Sequence, residues 1–353
     1  MEYVIMVGIS STVLLILVIV TCLAFALSNG YHNASAVMAT IVCSGAASPR
    51  QAILLASAFG LAGAVFGGSA VADTVSGLID LPADKVLLPI LFSAILGAVI
   101  WSLLTGRLGL PSSTTHALTG GIIGAVCVSS GTQYVNWGWG DLISGSHRIT
   151  GIVLVTFALI VSPLAGFVLA FILGKVSQII FRNAKIGLNI WLNRFEWLIT
   201  GLLSYSFTAN DTQKIIGILT LALAAGGRPA ISSIPLWLRI SGGLVMFMGM
   251  LIGGWNITKT IGRGIYEMRP IHGVNSQLAS MGSIFSATTL GAPVSTTHVV
   301  VGSIMGIGSA ERYKTVNWQI VKEIVAAWLI TIPSSAVISA IIFVIWKLIF
   351  KVT

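Results

Sequence analysis

Long apolar runs separated by short charged loops constrain this 353-residue chain more than any other feature of its sequence. Runs long enough to cross a hydrocarbon core of about 30 Å occupy residues 3–27, 51–72, 86–105, 151–174, 236–258 and 320–348. Hydrophobic residues make up 56% of the chain and charged residues 8%, whereas a soluble domain carries about a quarter charged residues. Too few charges exist to coat a water-soluble globule of this size. The sequence therefore predicts an all-α integral membrane protein and disfavours soluble enzymes, nucleic-acid binders and disordered regulators.

The net charge of +9 does not revive a nucleic-acid role, because the basic residues sit in short loops and not in a patch interleaved with aromatics. Cys22, Cys43 and Cys127 are odd in number, unpatterned and embedded in apolar stretches, which suggests neither a disulfide framework nor a zinc site. The first run is longer than a signal-peptide core, and Glu2 stands where a signal peptide has positive charge. It reads as a membrane helix.

An internal repeat sets the organisation. GLPSSTTHALTGGIIG at residues 109–124 recurs as GAPVSTTHVVVGSIMG at 291–306, sharing the frame GxPxSTTHxxxGxIxG. A weaker pair, SNGYHN at 28–33 and SFTAND at 206–211, lies at nearly the same offset. The chain thus reads as two membrane repeats, residues 1–176 and 177–353, joined by a short basic linker near 175–194. The segments at 111–128 and 293–308 are short for full spans and read as half-helices or re-entrant hairpins. The glycine content, 39 residues, fits close helix packing and such breaks.

Charge placement orients the halves. Lys175, Arg182, Lys185 and Arg194 against Glu196 put the joining segment in the cytoplasm. Stepping back through single crossings places Arg107 and Arg50 inside and the loop with Asp73, Asp80 and Asp84 outside. The equivalent loop of the second half, with Lys259, Arg263 and Arg269 against Glu267, is basic and faces inward. Arg228, Lys347 and Lys351 do not follow the scheme. Equivalent loops on opposite sides mean inverted-topology repeats, the arrangement of secondary transporters.

The Pro-x-Ser-Thr-Thr run has the chemistry of a helix start. Proline is tolerated in the first turn, hydroxyls cap free N–H groups, and the dipole makes that end electropositive. Ser113, Thr114 and Thr115, with Ser295, Thr296 and Thr297, would hold a tetrahedral oxyanion from two sides without a buried formal positive charge. The alternative is a pair of merely capped kinks. His116 and His298 follow these runs; they read either as rings bonded to nearby backbone or as a gate or proton relay. Ser113 three residues before His116 has the look of a hydrolase pair, but two equal copies argue against a single asymmetric nucleophile.

Asp211 is the only carboxylate lying well within an apolar stretch, and such charges are expensive and functional. With Asn210, beside an expected helix break, it suits a small cation held by carboxylate, amide and backbone oxygens. Lys214, one turn on, either pairs with Asp211 or contacts the anion. Arg263 and Glu267 form an i, i+4 pair of structural character, and 48–51, Ser-Pro-Arg-Gln, reads as a capped cytoplasmic helix start.

Together these motifs resemble the inorganic phosphate transporter (PiT) family. The two Gly-x-Pro-x-Ser-Thr-Thr-His frames look like its signatures, and ANDTQK at 209–214 is similar to its Asn-Asp-x-x-Lys motif. ASPRQA at 47–52, VSPL at 161–164 and AWLITIP at 327–333 are also of the family's kind. The resemblance implies a cation-coupled symporter of the plasma (inner) membrane and, in many members, a homodimer. It further implies that the anion lies between the halves, contacted by the Ser-Thr-Thr groups, with sodium beside it at Asn210 and Asp211.

The first half departs from that pattern: Asn33 and Ala36 stand where the family usually has Asp and Asn. An amide offers oxygen to a cation but no charge and no proton. Asn33 therefore remains a candidate for anion or cation contact, while a symmetrical two-sodium site is in doubt. Proton coupling gains ground, with His32 a candidate. Sulfate, which only accepts hydrogen bonds at neutral pH, becomes the alternative to phosphate. Moving a dianion inward against 100 mV costs about 4.6 kcal/mol, which two monovalent cations would cancel. A symporter for phosphate, with sodium or protons as coupling ion and no other cofactor, is thus expected over a channel or an intramembrane hydrolase.

Overall fold

The computed structural model describes residues 10–84, 86–143, 149–228 and 235–350. Glu2, the start of the first apolar run and Lys351 lie outside them. Helices dominate, and among the described residues the only β pairing is an isolated bridge between Ile79 and Val135. By length and composition, five helices are apolar enough to cross a membrane, or six if a bent pair counts as one span.

The first half runs α1 (Ser11–Cys43), α2 (Pro49–Phe66), α3 (Ala70–Ser76), α4 (Leu87–Arg107), α5 (Thr114–Ser129), α6 (Trp139–Ile143) and α7 (Gly151–Ile180). The second runs α8 (Leu188–Ala225), α9 (Leu236–Ile252), α10 (Trp255–Lys259), a π turn (Thr260–Gly264), α11 (Pro270–Thr289), α12 (Thr296–Glu311) and α13 (Trp318–Phe350). The expected capped start at residue 48 is present: Ser48 and Gln51 bond each other's backbone N–H groups in a capping box, with Pro49 in the first turn.

Three segments differ from expectation. Residues 51–72 do not form one run, because α2 ends at Gly67-Gly68, where Gly68 has a φ of +88°, and α3 follows. Residues 236–258 bend by 63° between α9 and α10, at Gly253 with a φ of +65°. The break expected beside Asp211 is absent. Helix α8 continues unbroken for 38 residues, because buried partners satisfy its polar middle, Thr208 to Lys214.

Helices of the two halves contact one another reciprocally. α1 packs on α9 and α8 on α2; α4 and α5 pack on α13, while α11 and α12 pack on α7. The repeated frame explains the closest of these contacts. A Cβ at Gly120 would collide with the Ile332 carbonyl of α13, and one at Gly302 with the Pro163 carbonyl of α7. Four residues on, Gly124 lies against Ala336 and Gly306 against Phe167. The glycines four apart are thus a small-xxx-small face that lets backbones touch. Pro163 and Pro333 both lie inside their helices. Large apolar side chains such as Ile160, Leu164, Leu329 and Leu348 are exposed, which suits a surface that faces lipid.

The two halves also meet where the sequence placed a polar loop. Glu196, expected in the cytoplasmic linker, lies inside α8 and is 0% exposed. Asp211 is therefore not the only deeply placed carboxylate. No ion pair joins Arg263 to Glu267 among the described residues; Glu311 instead pairs with Arg269 at 3.7 Å and His272 at 3.0 Å.

Candidate anion and cation site

Both Ser-Thr-Thr runs start helices of 16 residues, about 24 Å long and shorter than the hydrocarbon core. Each is led in by a glycine in the left-handed region, Gly109 at φ +70° and Gly291 at φ +71°, where a side chain is strained. Ser113 and Ser295 are the N-caps: their hydroxyls accept from the amides of His116 at 3.1 Å and His298 at 3.4 Å. The same local chemistry thus builds both termini.

The termini converge on one buried ion pair. Lys214 Nζ lies 2.5 Å from Asp211 Oδ1, each side chain 1% exposed. The ammonium's other two protons go to Thr115 Oγ1 at 2.6 Å and the Val294 carbonyl at 2.8 Å, which uses its donor capacity in full. Thr115 in turn donates to Val294 O at 3.1 Å. The first Ser-Thr-Thr run, the lead-in to the second and the Asp-x-x-Lys motif therefore meet at one atom.

Asp211 is held from the other side by the first half. Asn33 Nδ2 donates to Asp211 Oδ2 at 2.8 Å, and Thr296 Oγ1 is 3.3 Å from both Asp211 Oδ2 and Asn33 Oδ1. Asn33 thus faces the residue at its own equivalent position in the other half. Asn210 sits one step round α8, donating to Thr288 Oγ1 at 2.9 Å and Ala292 O at 3.1 Å, which ties the helix to the lead-in of α12. Thr114 donates to Asn29 Oδ1 at 2.8 Å.

Other candidates stand apart from this cluster. His32 bonds the Ser28 carbonyl through Nδ1 at 3.0 Å and has Tyr31 beside it; no hydrogen bond links it to Asp211 among the described residues. Thr297 is buried one position beyond Thr296 but outside the network. His116 and His298, neither of which was assigned a partner from sequence, touch each other edge to face with centroids 4.6 Å apart, and His298 stacks on Trp328 at 3.7 Å. Sequence reasoning missed Asn29, Thr288 and Gln213, which bonds Gly67 O at 2.6 Å and Val71 N at 2.7 Å. Asn29 lies one helical turn before Asn33, a spacing that would have signalled a shared face.

The arrangement offers hydroxyls, two helix N-termini, one ammonium and one carboxylate, all shielded from water. Hydroxyl, amide and ammonium donors suit the oxygens of a small oxyanion. Asp211, with the oxygens of Asn33 and Thr296, suits a small hard cation. A polar cluster of this kind inside an apolar helical bundle is that of a multi-pass membrane protein.

Comparison with known proteins gives the class a family. The model of the phosphate transporter family matches residues 29–339. A probable low-affinity inorganic phosphate transporter of Bacillus subtilis is 36% identical over 96% of this chain and 98% of its own. One of Rhizobium meliloti is 34% identical over 94% and 96%. A solved structure titled "The sodium-dependent phosphate transporter" shares the fold, with a TM-score of 0.84 and 24% identity over 96% of this chain and 100% of that one. The chain belongs to the phosphate transporter family.

Proposed function

We propose that this protein is a cation-coupled symporter that imports inorganic phosphate across the plasma (inner) membrane. The observation that carries the reading is the convergence of Thr115 and Thr296, one from each copy of the repeated frame, on the buried Lys214–Asp211 pair. Phosphate is bound between the two helix starts by Ser113, Thr114 and Thr115 from one and Ser295, Thr296 and Thr297 from the other. Lys214 turns from Asp211 to the anion. Asp211, with Asn210 and Asn33, then holds the coupling ion. A single cation bound to Asp211 replaces the charge that Lys214 withdraws, so the two solutes are linked through one carboxylate.

The names of the relatives and the sodium-dependent transporter with the same fold support phosphate and sodium. The reciprocal helix contacts support two repeats, residues 1–176 and 177–353, of inverted topology, with α5 and α12 as the inner arms of re-entrant hairpins. In this reading the protein is a homodimer and performs no catalysis. A proton is the alternative coupling ion, since Asn33 leaves the centre with one acid where two are usual.

Equilibrium binding of labelled phosphate to the purified protein tests the site. Thr115→Val and Thr296→Val each remove a donor of about 1.5–3 kcal/mol to a charged acceptor, so each weakens binding on the order of tenfold or more. Unchanged affinity in either variant contradicts a shared site.

A further inference from the structure

A cavity of about 390 Å³ lies at one end of the helical bundle, where α7 and α12 finish and α8 and α11 start. The transport reading leaves it unused. Leu192 on its wall is 19 residues, about 28 Å along α8, from Asp211. The cavity is therefore separate from the central site.

Its charges are unbalanced. Lys185 and Arg269 both line it, against the single carboxylate of Glu311. Glu311 Oε1 is 3.0 Å from His272 Nε2 and 3.7 Å from Arg269. Among the described residues no carboxylate pairs with Lys185. The cavity thus carries at least one net positive charge. Lys185 is exposed, and so is 69% of the Arg269 side chain, which leaves both free to turn to an anion.

The segment that forms one wall mixes charge with apolar surface. From Lys175 to Phe195 the chain has four basic residues and no acid. Among them Ile179, Ile180, Ile186, Ile190 and Trp191 are all more than half exposed. Water disfavours so much apolar surface and hydrocarbon disfavours the cations. The mixture suits the boundary between lipid and water, where tryptophan and basic side chains collect. Arg194 lies over the Trp191 ring at 5.3 Å, a cation–π pair in keeping with that setting.

The same mixture continues inside the cavity, where Phe181, Ile186 and Leu188 stand beside Lys185. A free inorganic anion would leave those apolar walls to water. A molecule with phosphate at one end and hydrocarbon at the other covers both. A zwitterionic headgroup would bring a further positive charge against Lys185 and Arg269, so a headgroup of net negative charge is the better match.

We propose that this cavity binds one anionic phospholipid, its phosphodiester held by Lys185 and Arg269 and its glycerol and first acyl carbons laid against Phe181, Ile186 and Leu188. A lipid here bridges the segment that leads into α8 and the start of α11. The inference concerns binding alone and stands whether or not the central site takes phosphate.

The test is native mass spectrometry of the purified full-length protein, stripped of lipid in neutral detergent and titrated with phosphatidylglycerol or phosphatidylcholine. One phosphatidylglycerol per chain is expected to bind in preference to phosphatidylcholine, and excess inorganic phosphate leaves it in place. Lys185→Gln and Arg269→Gln each weaken it on the order of fivefold. Ile186→Ser weakens it too, whereas Arg50→Gln and Lys322→Gln, outside the cavity, leave it unchanged. All five side chains are exposed, so the variants keep the fold. Equal loss in all four charge variants reduces the effect to general attraction and overturns the proposal, as does equal binding of the two lipids. Displacement by inorganic phosphate overturns it by making the ligand the free anion. A change of oligomeric state in Lys185→Gln with lipid binding kept overturns it by making the surface a contact with a second copy of the chain.

Discussion

Asn33 and Asp211, 178 residues apart in the chain, are hydrogen-bonded side chain to side chain at 2.8 Å, each the last residue of one of the two similar stretches SNGYHN and SFTAND. An acid at both positions would set two carboxylates against one another, and only a proton or a cation between them would relieve the repulsion. The amide removes that requirement. Asp211 remains with Lys214 as its counter-charge, and the two formal charges of the pair cancel.

Restoring the acid tests this. Asn33→Asp is expected to make phosphate binding more dependent on sodium or on low pH, with apparent affinity lost when both are withheld. A cation dependence identical to that of the parent protein would show that Asn33 does not set the charge of the site.

Asp211→Asn is expected to abolish concentrative uptake and to leave Lys214 as an unpaired buried ammonium, at a cost of about 3–5 kcal/mol. The double variant Asp211→Leu with Lys214→Met removes both charges and should recover most of the lost thermal stability while uptake stays absent. Concentrative uptake by either variant contradicts the role given to Asp211.

The serine caps are equivalent, so Ser113→Ala and Ser295→Ala should lower uptake to a similar degree and each destabilise its helix start by about 0.5–2 kcal/mol. Loss of activity with Ser113→Ala alone would point instead to a single nucleophile.

Gly120→Leu and Gly302→Leu force apart the helix pairs α5–α13 and α12–α7, and each should lower the unfolding temperature through overpacking of about 1–3 kcal/mol or more. Gly282→Ala, with nothing within 4 Å of an added Cβ, serves as the neutral control. Equal melting of all three variants contradicts the backbone contacts.

Much of this was legible in the sequence because the repeat carries its own chemistry. The apolar runs at 86–105, 151–174 and 320–348 became α4, α7 and α13 with small shifts at their ends, and the frame containing Ser113 and Ser295 became two capped helix starts. What failed were inferences from local polarity. A helix break was expected beside Asp211 because polar residues inside an apolar run look like an interruption; α8 stays whole because Asn33, Thr115, Thr288 and Thr296 reach it from other parts of the chain. Glu196 was assigned to the linker for its neighbours Arg194 and Lys185, and only tertiary packing turns it inward against Ser44 and Gln277. Likewise, no spacing rule brings His116 to His298 across 182 residues.

Uptake of labelled phosphate and sulfate into proteoliposomes, with sodium and proton gradients imposed separately, tests the central claim most directly. Phosphate is predicted to accumulate inside beyond its external concentration only while an inward cation gradient is maintained. Phosphate flux indifferent to both gradients, or accumulation of sulfate in its place, would contradict the account.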